Sequence, residues 1–151
     1  MPDPVADVEH AMIAIRRSQQ RRALTRIARG RGQHALDPVI ELLDVVEDFA
    51  DRGDPATVTS LALALGVDQP RASRLVARAV DQDDLQREAD QSDGRRTVLA
   101  LTPAGRARLD ALHTFRRTVF AEAMSPWSAE DRATFARLLT SFITNYEALG
   151  R

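Results

Sequence analysis

The sequence predicts a mainly α-helical fold with one small β-hairpin. Three observations predict it. Apolar residues recur at helical spacing near both ends of the chain. Two short helical patterns joined by a Gly-containing turn occupy the middle. An alternating run, Val98 to Leu101, follows the turn signal Asp93-Gly94. At 151 residues the chain is the size of one domain, or of one domain with an extension. A domain of that size buries a core without disulfides or metals.

The elements follow in order. Val5, Val8, Met12 and Ile15 recur at helical spacing, and Ile27 continues the pattern after a polar stretch. This predicts one N-terminal helix, preceded by Pro2 and Pro4 and followed by Gly30 and Gly32. Leu36 to Phe49 reads as a second helix, with Asp37 as its cap and Pro38 in its first turn. Its apolar face is Val39, Leu42, Leu43, Val46 and Phe49, and its acids lie mostly on the other side. "DRGDP" at 51 to 55 then breaks the chain.

Residues 57 to 82 contain two short helices. Thr57 is placed to cap the first, with Leu61, Ala62 and Leu65 facing inward, and Gly66 ends it. Asp68 is placed to cap the second, with Pro70 in its first turn and Ala72, Leu75, Val76 and Ala79 as its buried stripe. This is a helix-turn-helix layout. Residues 85 to 101 read as a β-hairpin, a wing, and Thr102 caps the helix that follows, with Pro103 at its first position. That helix carries Leu109, Leu112, Phe115, Val119 and Phe120. "SPWS" at 125 to 128 breaks it, and Ser128 starts a last helix. There Phe135, Leu138, Leu139, Phe142, Ile143, Tyr146 and Leu149 recur at heptad-like spacing. The predicted fold is a winged helix-turn-helix flanked by long N- and C-terminal helices. An apolar helix face left over by the winged unit needs a partner, and a second copy of the chain is the simplest one.

Composition narrows the function. Without cysteine there is no disulfide scaffold, thiolate nucleophile or zinc-thiolate site. His10, His34 and His113 are widely separated, and no His/Asp/Glu spacing resembles a metal site. No phosphate-binding glycine loop is present, and Ser60, Ser73 and Ser128 lack the motif of a nucleophile with its base. We therefore expect no catalytic residues, no metal and no cofactor, and not an enzyme. Met1 to Glu9 lacks the layout of a signal peptide, and no apolar run approaches the ~20 residues of a membrane span. A cytoplasmic protein without a membrane partner is expected.

The formal net charge is −1, so no global basic excess announces a nucleic-acid partner. The charges are segregated by segment instead. All 21 basic residues are arginine, and those from Arg16 to Arg31 form an acid-free run. The next segment is acidic, from Asp37 to Asp54. The favoured reading of the basic run is pairing with that acidic helix; contact with DNA or an acidic ligand is the other.

The chemistry lies in the second helix of the pair and in the wing. Arg71, Arg74 and Arg78 lie on one stripe at i, i+3 and i+7, and Gln69, Pro70 and Ser73 share the polar arc. An α-helix fits the major groove, where arginine donates to guanine and glutamine pairs with adenine. Ser73 and the amides at the helix start suit phosphate oxygens. At the wing tip, "DGRR" suits Arg95 to the minor groove, Asp93 to holding the Arg95 guanidinium and Arg96 to a phosphate. A solvated polar face is the alternative for each set, and their place after a helix-turn-helix favours double-stranded DNA.

"GVDQPRASRLVARAV" and "DGRRTVLALTPAGRARL" together make the chain resemble the MarR family of bacterial transcriptional regulators. The Asp-x-Arg of the wing tip and the Leu-Thr-x-x-Gly after its second strand carry most of the likeness. The resemblance implies a homodimer built by the terminal helices, with residues 1–34 and 102–151 as dimerisation parts and 35–101 as the DNA-binding part. It implies binding to a palindromic operator, usually repression, and often release by a small aromatic or phenolic effector bound between the dimer helices and the winged domain. One stretch departs from the family pattern. In "DQDDLQRE", Asp83 stands where the family has a glycine and Asp84 where it has an apolar residue. Aspartate tolerates left-handed backbone, so the turn is expected to survive. Asp81, Asp83 and Asp84 are expected to lower DNA affinity by their charge. They motivate the rival reading, a winged-helix protein-interaction module.

Overall fold

Most helices in this protein begin where a side chain can satisfy their first free amides. The computed structural model describes residues 1–33 and 37–151. Leu36, the expected start of the second helix, and the expected part boundary after residue 34 lie outside the described residues.

Helix α1 spans Pro4–Gln20, and the carboxylate of Asp3 accepts from the Val5 N–H at 2.9 Å. The N-terminal pattern does not form one helix, as the periodicity predicts. It forms two, with α2 at Ala23–Gly30. No apolar residue occurs from Arg16 to Arg22, so nothing there pins a helix to a core. Arg17 and Arg21, and Arg22 and Arg26, would also stack like charges one turn apart. Arg22 instead takes a left-handed conformation, φ 51°, and the chain turns.

Helix α3, Pro38–Arg52, is capped by Asp37, which accepts from the Val39 N–H at 3.0 Å. Helix α4, Val58–Leu65, opens on a reciprocal cap: Thr57 Oγ1 accepts from the Ser60 N–H, and Ser60 Oγ from the Thr57 N–H. Gly66 ends it at φ 66°, a conformation that favours glycine. Helix α5, Gln69–Asp81, follows after a short turn and is capped by Asp68. Strands β1, Leu85–Ala89, and β2, Thr97–Leu101, pair antiparallel with Leu85 opposite Leu101 and Ala89 opposite Thr97. The Leu99 N–H, on the free side of β2, donates to the Ala56 carbonyl at 2.8 Å and ties the wing to the segment before α4. Helix α6 is Pro103–Ala123 and α7 is Ala129–Ala148.

The chain divides into two compact units, Met1–Leu112 and His113–Arg151. In the first, one core joins α3 (Val39, Leu42, Leu43, Val46), α4 (Leu61), α5 (Val76, Ala79), the wing (Leu85, Leu99) and Leu109 of α6. The helix-turn-helix and the wing therefore share a single apolar foundation. Burial of the valines and leucines among these side chains contributes roughly 1.5–3 kcal/mol each, which fixes the orientation of α5 relative to the wing. In the second unit, Ser128 caps α7 by accepting from the Asp131 N–H at 3.0 Å. Trp127 meets Phe135 edge to face, with centroids 5.1 Å apart. Helix α7 has no buried residue, and its apolar stripe through Leu138, Phe142 and Tyr146 is exposed.

The corner between α5 and β1 is the tightest point of the first unit. Asp83 has φ 60°, as expected for a residue standing in place of glycine. Thr102 clamps this corner from the far end of the wing. Its hydroxyl donates to the Asp83 carbonyl, and its N–H donates to the Asp84 carbonyl at 3.1 Å. The same hydroxyl accepts from the Gly105 N–H at 2.9 Å, capping α6. A Cβ on Gly105 would lie 2.0 Å from the Asp84 carbonyl oxygen. The Leu-Thr-x-x-Gly pattern thus has a mechanical meaning: threonine ties the corner down, and glycine leaves room for its backbone.

Candidate nucleic-acid interface

Nine residues were expected at the interface: Gln69, Pro70, Arg71, Ser73, Arg74 and Arg78 on α5, and Asp93, Arg95 and Arg96 on the wing. All nine are exposed. On α5 the division is clean, because Ala72, Val76 and Ala79 are buried on the opposite arc. The apolar foundation therefore decides which face of α5 is presented.

The five arginines are not equivalent. Among the described residues, the guanidinium groups of Arg71, Arg74 and Arg95 have no carboxylate partner. Arg78 and Arg96 do. Arg78 Nη2 donates to Asp37 Oδ2 at 2.5 Å, joining the last turn of α5 to the cap of α3. Arg96 donates through Nε and Nη2 to Asp90 Oδ2, at 2.8 and 2.6 Å. A guanidinium with no carboxylate partner reaches a nucleic-acid acceptor without breaking a bond. A paired one gives up, or shares, its carboxylate first.

The wing tip differs from the sequence expectation in its internal bonding. Asp93 was expected to hold the Arg95 guanidinium. Its Oδ1 accepts instead from the Arg95 backbone N–H at 3.1 Å. The tip is a loop over residues 90–96 that ends in a turn, where the Arg96 N–H donates to the Asp93 carbonyl at 3.0 Å. Its organiser is Asp90, a residue the sequence reading did not single out. Besides Arg96, Asp90 Oδ1 accepts from the Ser92 N–H at 3.0 Å and the Ser92 hydroxyl at 2.8 Å. The Ser92 N–H, then the Arg96 guanidinium and the Ser92 hydroxyl, lower the Asp90 pKa to about 2. The spacing Asp90-x-Ser92 is a turn signal, whereas the six-residue reach to Arg96 is set by the loop.

The start of α5 is also less open to phosphate than its position suggests. Pro70 has no N–H, and the Arg71 N–H donates to Asp68 Oδ1 at 2.7 Å. Gln69, Ser73 and the arginines are left to meet an anion there.

Upstream of the wing, the three aspartates part company. Asp81 and Asp83 are exposed, but Asp84 is 4% exposed, and its Oδ2 accepts from Arg108 Nη1. The acid in the apolar position is therefore turned inward and compensated by a guanidinium of α6. Arg108 was not singled out by the sequence reading, since nothing links residues 24 apart before the chain folds. The basic N-terminal run meets the acidic helix through Arg22, which lies 3.9 Å from Glu41.

No helix among the described residues is long and apolar enough to cross a membrane.

The chain resembles known regulators both in sequence and in fold. Residues 37–96 match the model of the MarR family. Over 120 residues the chain is 30% identical to the HTH-type transcriptional repressor NicR of Pseudomonas putida, covering 78% of this chain and 75% of that protein. A probable transcriptional regulator from Pseudomonas aeruginosa is 28% identical with a TM-score of 0.52, over 85% of this chain and 93% of that one. Wild-type MarR from E. coli is 21% identical with a TM-score of 0.62, over 94% of this chain and 98% of its own, a likeness of fold. With a helix-turn-helix, a paired wing and the Leu-Thr-x-x-Gly corner all in place, the chain belongs to the MarR family of transcriptional regulators.

Proposed function

We propose that the protein is a repressor that binds a pseudo-palindromic operator as a homodimer, with release by a small aromatic or phenolic effector as the form of control the family suggests. Helix α5 docks in the major groove through Gln69, Pro70, Arg71, Ser73, Arg74 and Arg78. Arg95 enters the adjacent minor groove, with Asp93 shaping the turn that presents it and Arg96 beside a phosphate. Residues 35–101 form the DNA-binding part, and residues 1–34 and 102–151 the dimerisation parts. One observation carries the reading. Arg71, Arg74 and Arg95 are exposed on the two elements that a winged helix presents to a duplex, and none of them is spent on a carboxylate. The exposed apolar stripe of α7 supports a second copy as the partner.

Selection of bound duplexes from a random pool tests the proposal. Recovery of a palindrome with half-sites one helical turn apart is the expected result. Affinity for it falls steeply with salt, because contacts to several phosphates release counterions. No enrichment, or salt-insensitive binding, favours the protein-interaction reading. That rival rested in part on the charge of Asp84, which is buried against Arg108.

A further inference from the structure

Four charged side chains meet behind the recognition helix. Asp37 Oδ2 accepts from Arg78 Nη2, and Arg108 Nη2 lies 3.9 Å from the same oxygen. Arg108 is held by its other terminal nitrogen, Nη1, on Asp84, with Gln82 Oε1 at 3.5 Å from that nitrogen. The other oxygen of Asp37 is committed to the Val39 N–H. Asp37 is thus a shared carboxylate. One of its guanidinium neighbours is exposed on α5, the helix read as docking in the groove, and the other stands on α6.

We propose that Arg108 is a positioning residue for DNA binding, the counter-ion that allows Arg78 to turn from Asp37 to a phosphate. This rests on the reading of α5 as the recognition helix. When Arg78 leaves, Asp37 would otherwise face a phosphate with its charge uncompensated. Arg108 is close enough to neutralise it with a small rotation while keeping its bond to Asp84. Asp84 has a matching role: it anchors Arg108 within reach of Asp37. The departure from the apolar residue usual in the family at this position is therefore functional, and the acid is part of the DNA-binding apparatus.

The test uses the duplex enriched by the wild-type protein from a random pool. Arg108→Gln is expected to weaken binding roughly tenfold per half-site at about 0.1 M salt, and to lower the salt slope by about one phosphate per protomer. Arg78→Ala is expected to do the same, and the double variant no more than either. Asp37→Asn retains a helix cap and removes the charge, so it is expected to restore binding to Arg108→Gln. A merely structural role for Arg108 predicts the opposite on both counts: a loss that persists in the Arg78→Ala background and is not rescued by Asp37→Asn. Either result, or unchanged binding by Arg108→Gln, overturns the inference. If Arg108→Gln misfolds with Asp84 unpaired, Asp84→Asn/Arg108→Gln removes both charges of the pair and is expected to show the same loss and the same rescue. A wild-type protein that enriches no duplex sinks the recognition reading itself, so the two failures are distinguishable.

Discussion

Single side chains separate holding from reaching at the wing. Arg96 is bound twice to Asp90, while the Arg95 guanidinium has no carboxylate partner and only its backbone is fixed by Asp93. Arg95→Ala should therefore weaken operator binding by roughly tenfold to a hundredfold and leave the melting temperature nearly unchanged. A gel-shift titration beside thermal melting measures both, and unchanged affinity would remove Arg95 from the interface. Asp90 makes a pH-dependent contribution of known sign. Its folded pKa, about 2, lies below the usual 3.8, so the folded state favours the ionised form. That stabilisation is present above about pH 4 and is lost as the pH falls toward 2. Asp90→Asn should melt below the wild type at neutral pH, with the gap closing across that window. A gap that stays constant with pH would show that the charge of Asp90 is not what organises the tip. Its partner Arg96 is exposed at the wing tip, so the effect will be modest.

Between elements, the decisive contact is backbone against backbone. The start of α6 lies on the corner between α5 and β1, and Gly105 is where they touch. Gly105→Ala places a methyl group 2.0 Å from the Asp84 carbonyl oxygen, an atom that no side-chain rotation can move. Destabilisation of about 3 kcal/mol or more is expected, read as a lower urea midpoint. DNA affinity should fall with it, because the same corner sets the wing's angle to α5. Helix propensity alone predicts the reverse, since alanine favours a helix interior over glycine by about 1 kcal/mol. The sign of the change therefore decides whether the corner or the helix governs this position.

For the whole molecule, the pattern to explain is an apolar helix with no buried residue among those described. Leu138, Phe142 and Tyr146 of α7 are 52%, 36% and 62% exposed. The Phe142 and Tyr146 rings stack on this stripe with centroids 6.0 Å apart. In the proposed homodimer, Phe142→Glu puts a charge into the dimer contact. Sedimentation velocity should show a shift toward monomer. Operator affinity should drop far more than the affinity of a single half-site, because two linked recognition helices bind with a high effective concentration. A variant that remains a dimer would place the dimer contact elsewhere on the chain.

Periodicity and caps were enough to place α3, α4, α5, the wing and both C-terminal helices. Asp37, Thr57, Asp68 and Ser128 each act within three residues of where they stand. The exposed face of α5 was legible for the same reason, since its apolar residues mark the opposite arc. The break at Arg22 was not legible, because a polar stretch does not say whether it remains helical without something to pack against. The commitments of the arginines were not legible either. Arg78 meets Asp37 across 41 residues, and Arg108 meets Asp84 across 24. The sequence by itself determined where the capped helices start, which faces are apolar and which segments carry the basic groups. Only the tertiary structure decided which guanidinium groups are already paired with a carboxylate and which, among the described residues, are not. Local patterns act over a turn or two, whereas charge pairing depends on distances that exist only after the core has brought the elements together.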